Sequence, residues 1–390
     1  MKSWDVVIIG GGVIGASVAW HLASRGVRRI LIVDRSTGPG EGSTGRATGG
    51  YRAQYATAIN VRLSLLAREK LKRFRDEIGA DPGYHPVGYL WLAADEAELS
   101  ALRSALPVQH AAGLPEATEV GLDDIARINP ALRLDGLTGG TWCPTDGYIR
   151  PLGMLAGYLG AAERLGVTVQ WATEVTGFER NGSTADAKIA AVHTRDGRLA
   201  VGTVVNAAGA WAGPVAAMAG VDLPVTPLRR MLVPTRPCTI LPPDTPMTIF
   251  AGDGFHFRVR DDRILLAFPS PGIAGDPFGI DVDAEWLDQV EAKARARAPA
   301  LAQVELDRDA AWGGLYEMSP DKHAILGPAP ACSNFYLANG SSGHGVMHSP
   351  ALGQLLAEII LDGSATALDC APLRPSRFAE GDLMPSSGLL

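Results

Sequence analysis

The chain has 390 residues, 46% hydrophobic and 20% charged, with a formal net charge of −7, an ordinary globular balance with length enough for two domains. With this acidic balance no Lys/Arg cluster argues for a nucleic-acid face, so a small molecule is the expected partner and no nucleic acid is expected. Cys143, Cys238, Cys332 and Cys370 lie far apart with no C-x-x-C, which fits free thiols in a reducing compartment and leaves no metal site in prospect.

In chain order, the first unit reads as strand Trp4–Ile9, a glycine turn, helix Val13–Arg25 stopped at Gly26, and strand Arg29–Val33 ending at Asp34. The apolar run Val6–Trp20 is broken by glycines and preceded by Asp5. It therefore reads as neither a secretory leader nor a membrane span, and a cytoplasmic protein with no membrane contact is expected. A Gly/Ser/Thr-rich loop, Gly38–Arg52, leads to an amphipathic helix with Leu63, Leu66, Leu71 and Phe74 on one side. After Gly79 come strand Val87–Ala93, a helix near Asp95–Ala112, and a strand-like stretch at Leu137–Pro144. Helix Pro151–Leu165, strand Val167–Trp171 and a β-ribbon over Ala187–Asn206 restore the α/β rhythm. Residues 222–319 are again strand-rich, apart from helix Ala284–Arg297, and the chain closes with strand Phe335–Asn339, a glycine turn and helix Pro350–Leu361.

This pattern predicts α/β plus α+β architecture. A Rossmann-like cofactor domain is expected from 1–80, 145–221 and 320–390, and a mainly antiparallel β-sheet substrate domain from 81–144 and 222–319.

The glycines of "VVIIGGGVIG", Gly10, Gly12 and Gly15, are spaced G-x-G-x-x-G between a strand and a helix that opens at Val13 and Ile14. They serve a tight turn, close approach of backbone to a pyrophosphate, and helix–strand packing; the phosphates then face a helix N-terminus. Asp34, 19 residues past Gly15, is placed to accept from a ribose 2′-hydroxyl and would repel the 2′-phosphate of NADP. NAD and FAD both remain open on the fingerprint alone.

Three later stretches favour a longer, flavin-bearing cofactor. "GSTGRATGG" carries Gly42, Ser43, Thr44, Arg46, Ala47, Thr48, Gly49 and Gly50; "VVNAAGAWAG" carries Ala207, Ala208, Gly209 and Trp211; "ANGSSGHGVM" carries Gly343, His344, Gly345, Val346 and Met347. The last is a second strand–turn–helix, whose helix dipole would stabilise the negative charge of a reduced flavin.

With these segments in this order, the sequence resembles the FAD-dependent D-amino-acid oxidase superfamily. The likeness is greatest to its sarcosine oxidase, glycine oxidase, dimethylglycine dehydrogenase and proline dehydrogenase β-subunit branch, and "DGYIRP" and "GLYEMSPDKHAILG" add to it. The resemblance implies non-covalent FAD. Its adenosine would lie on the fingerprint, Asp34 and Arg35, with the adenine near Val175. Its ring would lie between the Gly45–Arg52 loop and Gly343–Met347. Gly314 stands where monomeric sarcosine oxidases attach FAD to cysteine, which excludes that bond.

The implied reaction is oxidation of the C–N bond of a small N-substituted, cyclic or D-amino acid by hydride transfer to flavin N5, giving an imine that hydrolyses. Arg52 is the expected carboxylate clamp, with Arg258 a weaker candidate. Tyr316 and His256 are expected beside the substrate, although each also reads as an ordinary half-buried strand residue. Met347 replaces a second carboxylate-binding lysine of the sarcosine oxidases, and no lysine occurs between Lys188 and Lys293, where those enzymes carry one that activates oxygen. The electron acceptor is therefore O2 or a partner subunit or dye, with a dehydrogenase favoured. A 2-hydroxy-acid dehydrogenase and a flavin-binding subunit or assembly protein with little activity alone are the competing readings, and an oligomer is allowed.

Overall fold

Strand Ser3–Ile9 pairs in parallel with Ile30–Val33 on one side and Gly197–Asn206 on the other. Being central, it buries both faces, so Val7 and Ile8 are each fully inaccessible and the strand reads as an unbroken apolar run. The computed structural model describes residues 3–181, 188–269, 276–330 and 332–385. The parallel sheet extends through Thr168–Gln170 at one edge and Cys332–Asn339 at the other, where Ile325–Ala329 adds an antiparallel border. The expected ribbon is two-thirds of an antiparallel meander, Val175–Asn181, Lys188–Thr194 and Gly197–Asn206; its predicted first residue, Ala187, lies outside the described residues.

Helix Val13–Ser24 follows the first glycine turn and lies against helices Pro151–Arg164 and Gly345–Asp362. It is rich in small residues because it is covered on nearly every side: Ala16, Val18, Ala19 and Leu22 are fully buried. Gly353 permits the closest approach, since a Cβ there would stand 2.1 Å from Ser17 Oγ.

A second, eight-stranded sheet runs Trp312–Met318, Thr226–Pro234, Arg263–Ala267, His256–Arg260, Met247–Phe250, Tyr89–Ala93, Gly139–Cys143, Thr118–Val120. Among its pairs only Met247–Phe250 with Tyr89–Ala93 is parallel, and that pair joins strands from the two strand-rich stretches into one layer. Helix Ala284–Arg297 covers the sheet with Trp286, Leu287, Val290 and Ala294.

The last long helix departs from expectation. Pro350 reads as a helix start because proline suits the first turn, yet the helix begins at Gly345 and runs to Asp362 with Pro350 inside it. Proline has no N–H for the carbonyl of Val346 four residues back; Ser349 Oγ donates to that oxygen instead, at 2.8 Å. The longer helix brings its N-terminus to the mouth of the turn containing Gly343, which matters for the site.

Candidate active site

The three fingerprint glycines are demanded by different things. Gly10 has φ +110°, and a Cβ there would sit 2.2 Å from the carbonyl oxygen of Ala207. Gly15 would place one 2.0 Å from the carbonyl oxygen of Gly10. Gly12 meets no such obstacle: its nearest neighbour would be Thr44 Oγ1 at 3.4 Å, an ordinary contact. Two glycines thus serve the protein's own backbone, while the middle one leaves room on the side where a ligand would lie. Asp34 braces this turn, accepting from Gly11 N at 2.6 Å and Ser36 N at 2.8 Å, and Thr44 Oγ1 accepts from Val13 N at 3.2 Å.

A cavity of about 850 Å³ connects the two glycine turns, from Gly10, Gly12 and Asp34 past Thr44 and Ala207 to Gly314, Gly343 and Gly345. It opens at the carboxyl ends of the parallel strands, where open α/β sheets bind their ligands. Its size suits an extended dinucleotide. Val13, Ile14, Arg35, Gly42, Ser43, Arg46, Ala47, Thr48, Val175, Ala208, Gly209, Trp211 and Val346 also line it. Gly15, Gly49, Gly50, His344 and Met347 do not. Added Cβ atoms at Gly49 and Gly50 would meet Ile149 O at 2.5 Å and Tyr89 Oη at 2.4 Å, so these glycines permit packing behind the wall.

Trp171 and Phe278 belong to the wall without having been singled out in the sequence. Trp171 closes over Gly11, where a Cβ would meet its ring at 2.8 Å. The Arg35 guanidinium lies 3.9 Å from the ring centre of Trp211, which in turn stacks on Phe278 with centroids 5.3 Å apart. Arg46 fastens the Gly38–Arg52 loop to the second sheet, its Nη1 donating to Gly313 O at 3.1 Å, and Ser43 Oγ donates to Leu315 O at 2.7 Å.

At the end near Gly343, Tyr316, His256 and Arg230 share the wall. The Tyr316 ring packs against Gly343, where a Cβ would stand 2.5 Å from Cε2. The Arg230 guanidinium lies 5.5 Å from that ring's centre. Burial, reinforced in sign by the charges of Arg230 and Arg52, holds His256 below the usual imidazole pKa, so its ring is neutral at pH 7; Nδ1 lies 2.9 Å from Gly254 O.

Arg52 is placed differently from expectation. It is buried and does not line the cavity. Nη1 donates to Gln54 O at 2.8 Å, Nη2 lies 3.2 Å from His344 Nε2, and the guanidinium sits 4.0 Å from the Tyr55 ring centre. Its own backbone N–H points to Met347 Sδ at 3.4 Å. Arg258 is likewise engaged, donating to the carbonyls of Thr48 and Gly49 at 2.8 and 2.7 Å. Nothing in the sequence singles out Arg230, which stands in a doublet that resembles a surface strand.

The parallel sheet, the twin glycine turns and the cavity between them define the dinucleotide-binding class of protein. Residues 5–359 match the family described as FAD dependent oxidoreductase, and the chain belongs to that family; it is an FAD-dependent oxidoreductase. It is similar to glycine oxidase of Geobacillus kaustophilus (28% identical, covering 96% of this chain and 97% of the relative). FAD-dependent oxidoreductase domain-containing protein 1 of Bos taurus is 28% identical over 97% of this chain and 85% of its own. The crystal structure of L-proline dehydrogenase from P. horikoshii superposes with a TM-score of 0.89 at 28% identity, covering 98% of this chain and all of that one.

No described helix is long and apolar enough to cross a membrane. Among the described residues no group of three or more His, Cys, Asp or Glu side chains is placed to hold a metal ion.

Proposed function

We propose that this enzyme oxidises the C–N bond of a small N-substituted, cyclic or D-amino acid, whose carboxylate is held at the Tyr316 end of the cavity. The observation that carries the reading is the Arg230 guanidinium on the cavity wall beside Tyr316 and the neutral His256. A half-buried guanidinium on a cavity wall beside an aromatic ring suits a carboxylate, which it can grip bidentately. Bound FAD supplies the two-electron acceptor for a hydride from the carbon next to nitrogen. The protein's share is then orientation and exclusion of water. Arg230 fixes the carboxylate, Tyr316 and His256 wall the substrate, and Arg52, one layer back, holds His344 in the turn before the last helix. The names of the similar proteins, glycine oxidase and L-proline dehydrogenase, denote small amino acids and support the same class. We assign cofactor binding to 1–80, 145–221 and 320–390, and substrate binding to 81–144 and 222–319. The electron acceptor is a partner protein or dye in preference to O2, because the stretch between Lys188 and Lys293 has no lysine and Lys293 is paired with Asp253 at 2.6 Å.

The test is anaerobic mixing of holoenzyme with glycine, sarcosine, dimethylglycine, L- and D-proline, D-alanine and a set of 2-hydroxy acids, following loss of flavin absorbance. At least one amino acid should bleach the flavin, and slow recovery in air would mark a dehydrogenase. Arg230→Met should raise the half-saturating substrate concentration about 10- to 100-fold, the worth of a lost charge-assisted hydrogen-bond pair, with FAD still bound. Should Arg52→Ala show that loss and Arg230→Met none, the carboxylate belongs to Arg52. Bleaching by 2-hydroxy acids alone would reject amine chemistry.

A further inference from the structure

Strand Trp312–Met318 alternates half-buried and buried positions, and its buried face presents Gly313, Leu315 and Glu317. A carboxyl group on the buried face of a strand needs a reason. Glu317 is 9% exposed and belongs to the cavity wall beside Tyr316. It is tied twice to the turn that starts the last helix: Oε1 accepts from Ser341 N at 3.2 Å, and its backbone carbonyl accepts from Ser342 N at 3.0 Å. No hydrogen bond of good geometry reaches its other oxygen, Oε2, although the Ser341 hydroxyl lies close enough to act on the carboxyl, and both amide atoms of Asn339 are buried without a partner. These unmatched polar atoms gather at the carboxyl end of strand Cys332–Asn339, just before helix Gly345–Asp362. Packing alone gives no account of them.

We infer that Glu317 is a redox-linked acid: it takes up one proton when the bound flavin is reduced and releases it on reoxidation. Two electrons entering the cofactor add negative charge to the cavity, and a carboxylate on the cavity wall is destabilised by that charge. The proton comes from solvent, forms the O–H bond of Glu317, and returns to solvent when the electrons leave. No bond to the cofactor forms or breaks, and the hydride or chemical reductant accounts for both electrons.

The surroundings suit this role. Burial lifts the Glu317 pKa to about 7, against hydrogen bonds from Ser341 and Gly340 that lower it, so both protonation states are accessible near neutrality. Among the charged and titratable groups of the wall are Tyr316 on its own strand, Arg230 on the neighbouring strand, Arg46 from the Gly38–Arg52 loop and His256 from the strand His256–Arg260; Asp34, Arg35, Glu41, Glu174 and Arg195 line the same cavity. Arg46 is bonded to Gly313 O, and His256 lies against Gly254 O. Burial, not a neighbouring charge, leads the shift. The inference rests on bound FAD and not on the substrate, so a chemical reductant tests it even where the amino-acid reading fails.

The experiment measures the two-electron potential of holoenzyme between pH 5.5 and 9 by equilibration with reference dyes. One extra proton per two electrons changes the reduction equilibrium tenfold per pH unit, about 30 mV. The wild type should show this additional slope setting in near pH 7, and Glu317→Gln, which keeps the size and one acceptor, should lose it while retaining FAD. The same extra slope in Glu317→Gln would overturn the assignment. Should that variant fail to bind FAD, redox infrared difference spectra of wild type carrying 13C-labelled glutamate decide. Reduction at pH 8 should create a label-sensitive carboxylic-acid C=O band, and its absence would refute the inference.

Discussion

Gly12 separates the requirements of the ligand from those of the fold. A Cβ at Gly12 finds only Thr44 Oγ1, at 3.4 Å, whereas one at Gly10 strikes a backbone carbonyl at φ +110°. Gly12→Ala should therefore leave the melting temperature of the apoprotein nearly unchanged and weaken FAD binding by about tenfold or more, ~1.4 kcal/mol. Gly10→Ala should destabilise the apoprotein itself, by about 1–3 kcal/mol from backbone strain and more from the overlap. Calorimetry of both apoproteins with FAD titration checks the contrast; equal apoprotein destabilisation would remove Gly12 from the ligand side. Such glycines are legible because spacing between a strand and a helix has few other uses. Arg230 and Glu317 are not, since a doublet and an acid in short strands look solvent-facing until a loop and a turn from distant sequence cover them.

Among elements, the piece around helix Arg377–Glu380 depends on one buried ion pair. The side chains of Arg377 and Asp321 are 0% and 1% exposed. Arg377 donates to both Asp321 oxygens at 2.8 and 3.0 Å, and also to the carbonyls of Leu373 and His323. This clasp fixes the turn that follows strand Trp312–Met318, and so the wall bearing Tyr316. Removing one partner strands the other charge, so Arg377→Met should cost about 3–5 kcal/mol in denaturant unfolding. Arg377→Lys should recover only part, lacking the fork that reaches both oxygens; full recovery would show that charge alone suffices. The start of the last helix shows why some boundaries escaped the sequence. Pro350 carries the local signal of a first turn, and only the Ser349 hydroxyl reaching back to Val346 O shows how the helix runs through it.

At the scale of the molecule, changes of texture along the chain revealed the interleaved segments, but not the parallel pairing of Met247–Phe250 with Tyr89–Ala93. Pairing between strands more than 150 residues apart leaves no local trace. What the assembled interior does to charge is a property of the whole, and it predicts the stability profile. Burial raises Asp146 and Glu317 to about 7 and, as the largest cause, lowers His21 and His348 to about 3. Unfolded carboxyls titrate near ~4 and unfolded histidines near ~6.5. The raised acids stabilise fully below pH ~4 and lose that contribution as pH rises towards 7; the depressed histidines stabilise above pH ~6.5 and lose it as pH falls. Between these limits the folded protein holds two protons on the acids that the unfolded chain releases, and the unfolded chain holds two on the histidines. The slopes of these four groups oppose, so the denaturant midpoint of the apoprotein should fall only gently from pH ~6.5 to ~4.5, the residual fall coming from His256 and His323, whose imidazoles burial also holds below the ordinary value. Below pH ~4 the raised acids add no further slope and the histidine effect continues, at about 3 kcal/mol per pH unit for the pair, joined by protonation of Asp321 and Asp253, whose carboxyls Arg377 and the Arg297 and Lys293 pair hold below the ordinary value despite burial. Asp146→Asn should steepen the gentle fall between pH ~6.5 and ~4.5, while His348→Asn should roughly halve the histidine slope. A wild-type midpoint that falls from pH ~6.5 as steeply as it does below pH ~4 would mean the two acids are ionised inside the apoprotein.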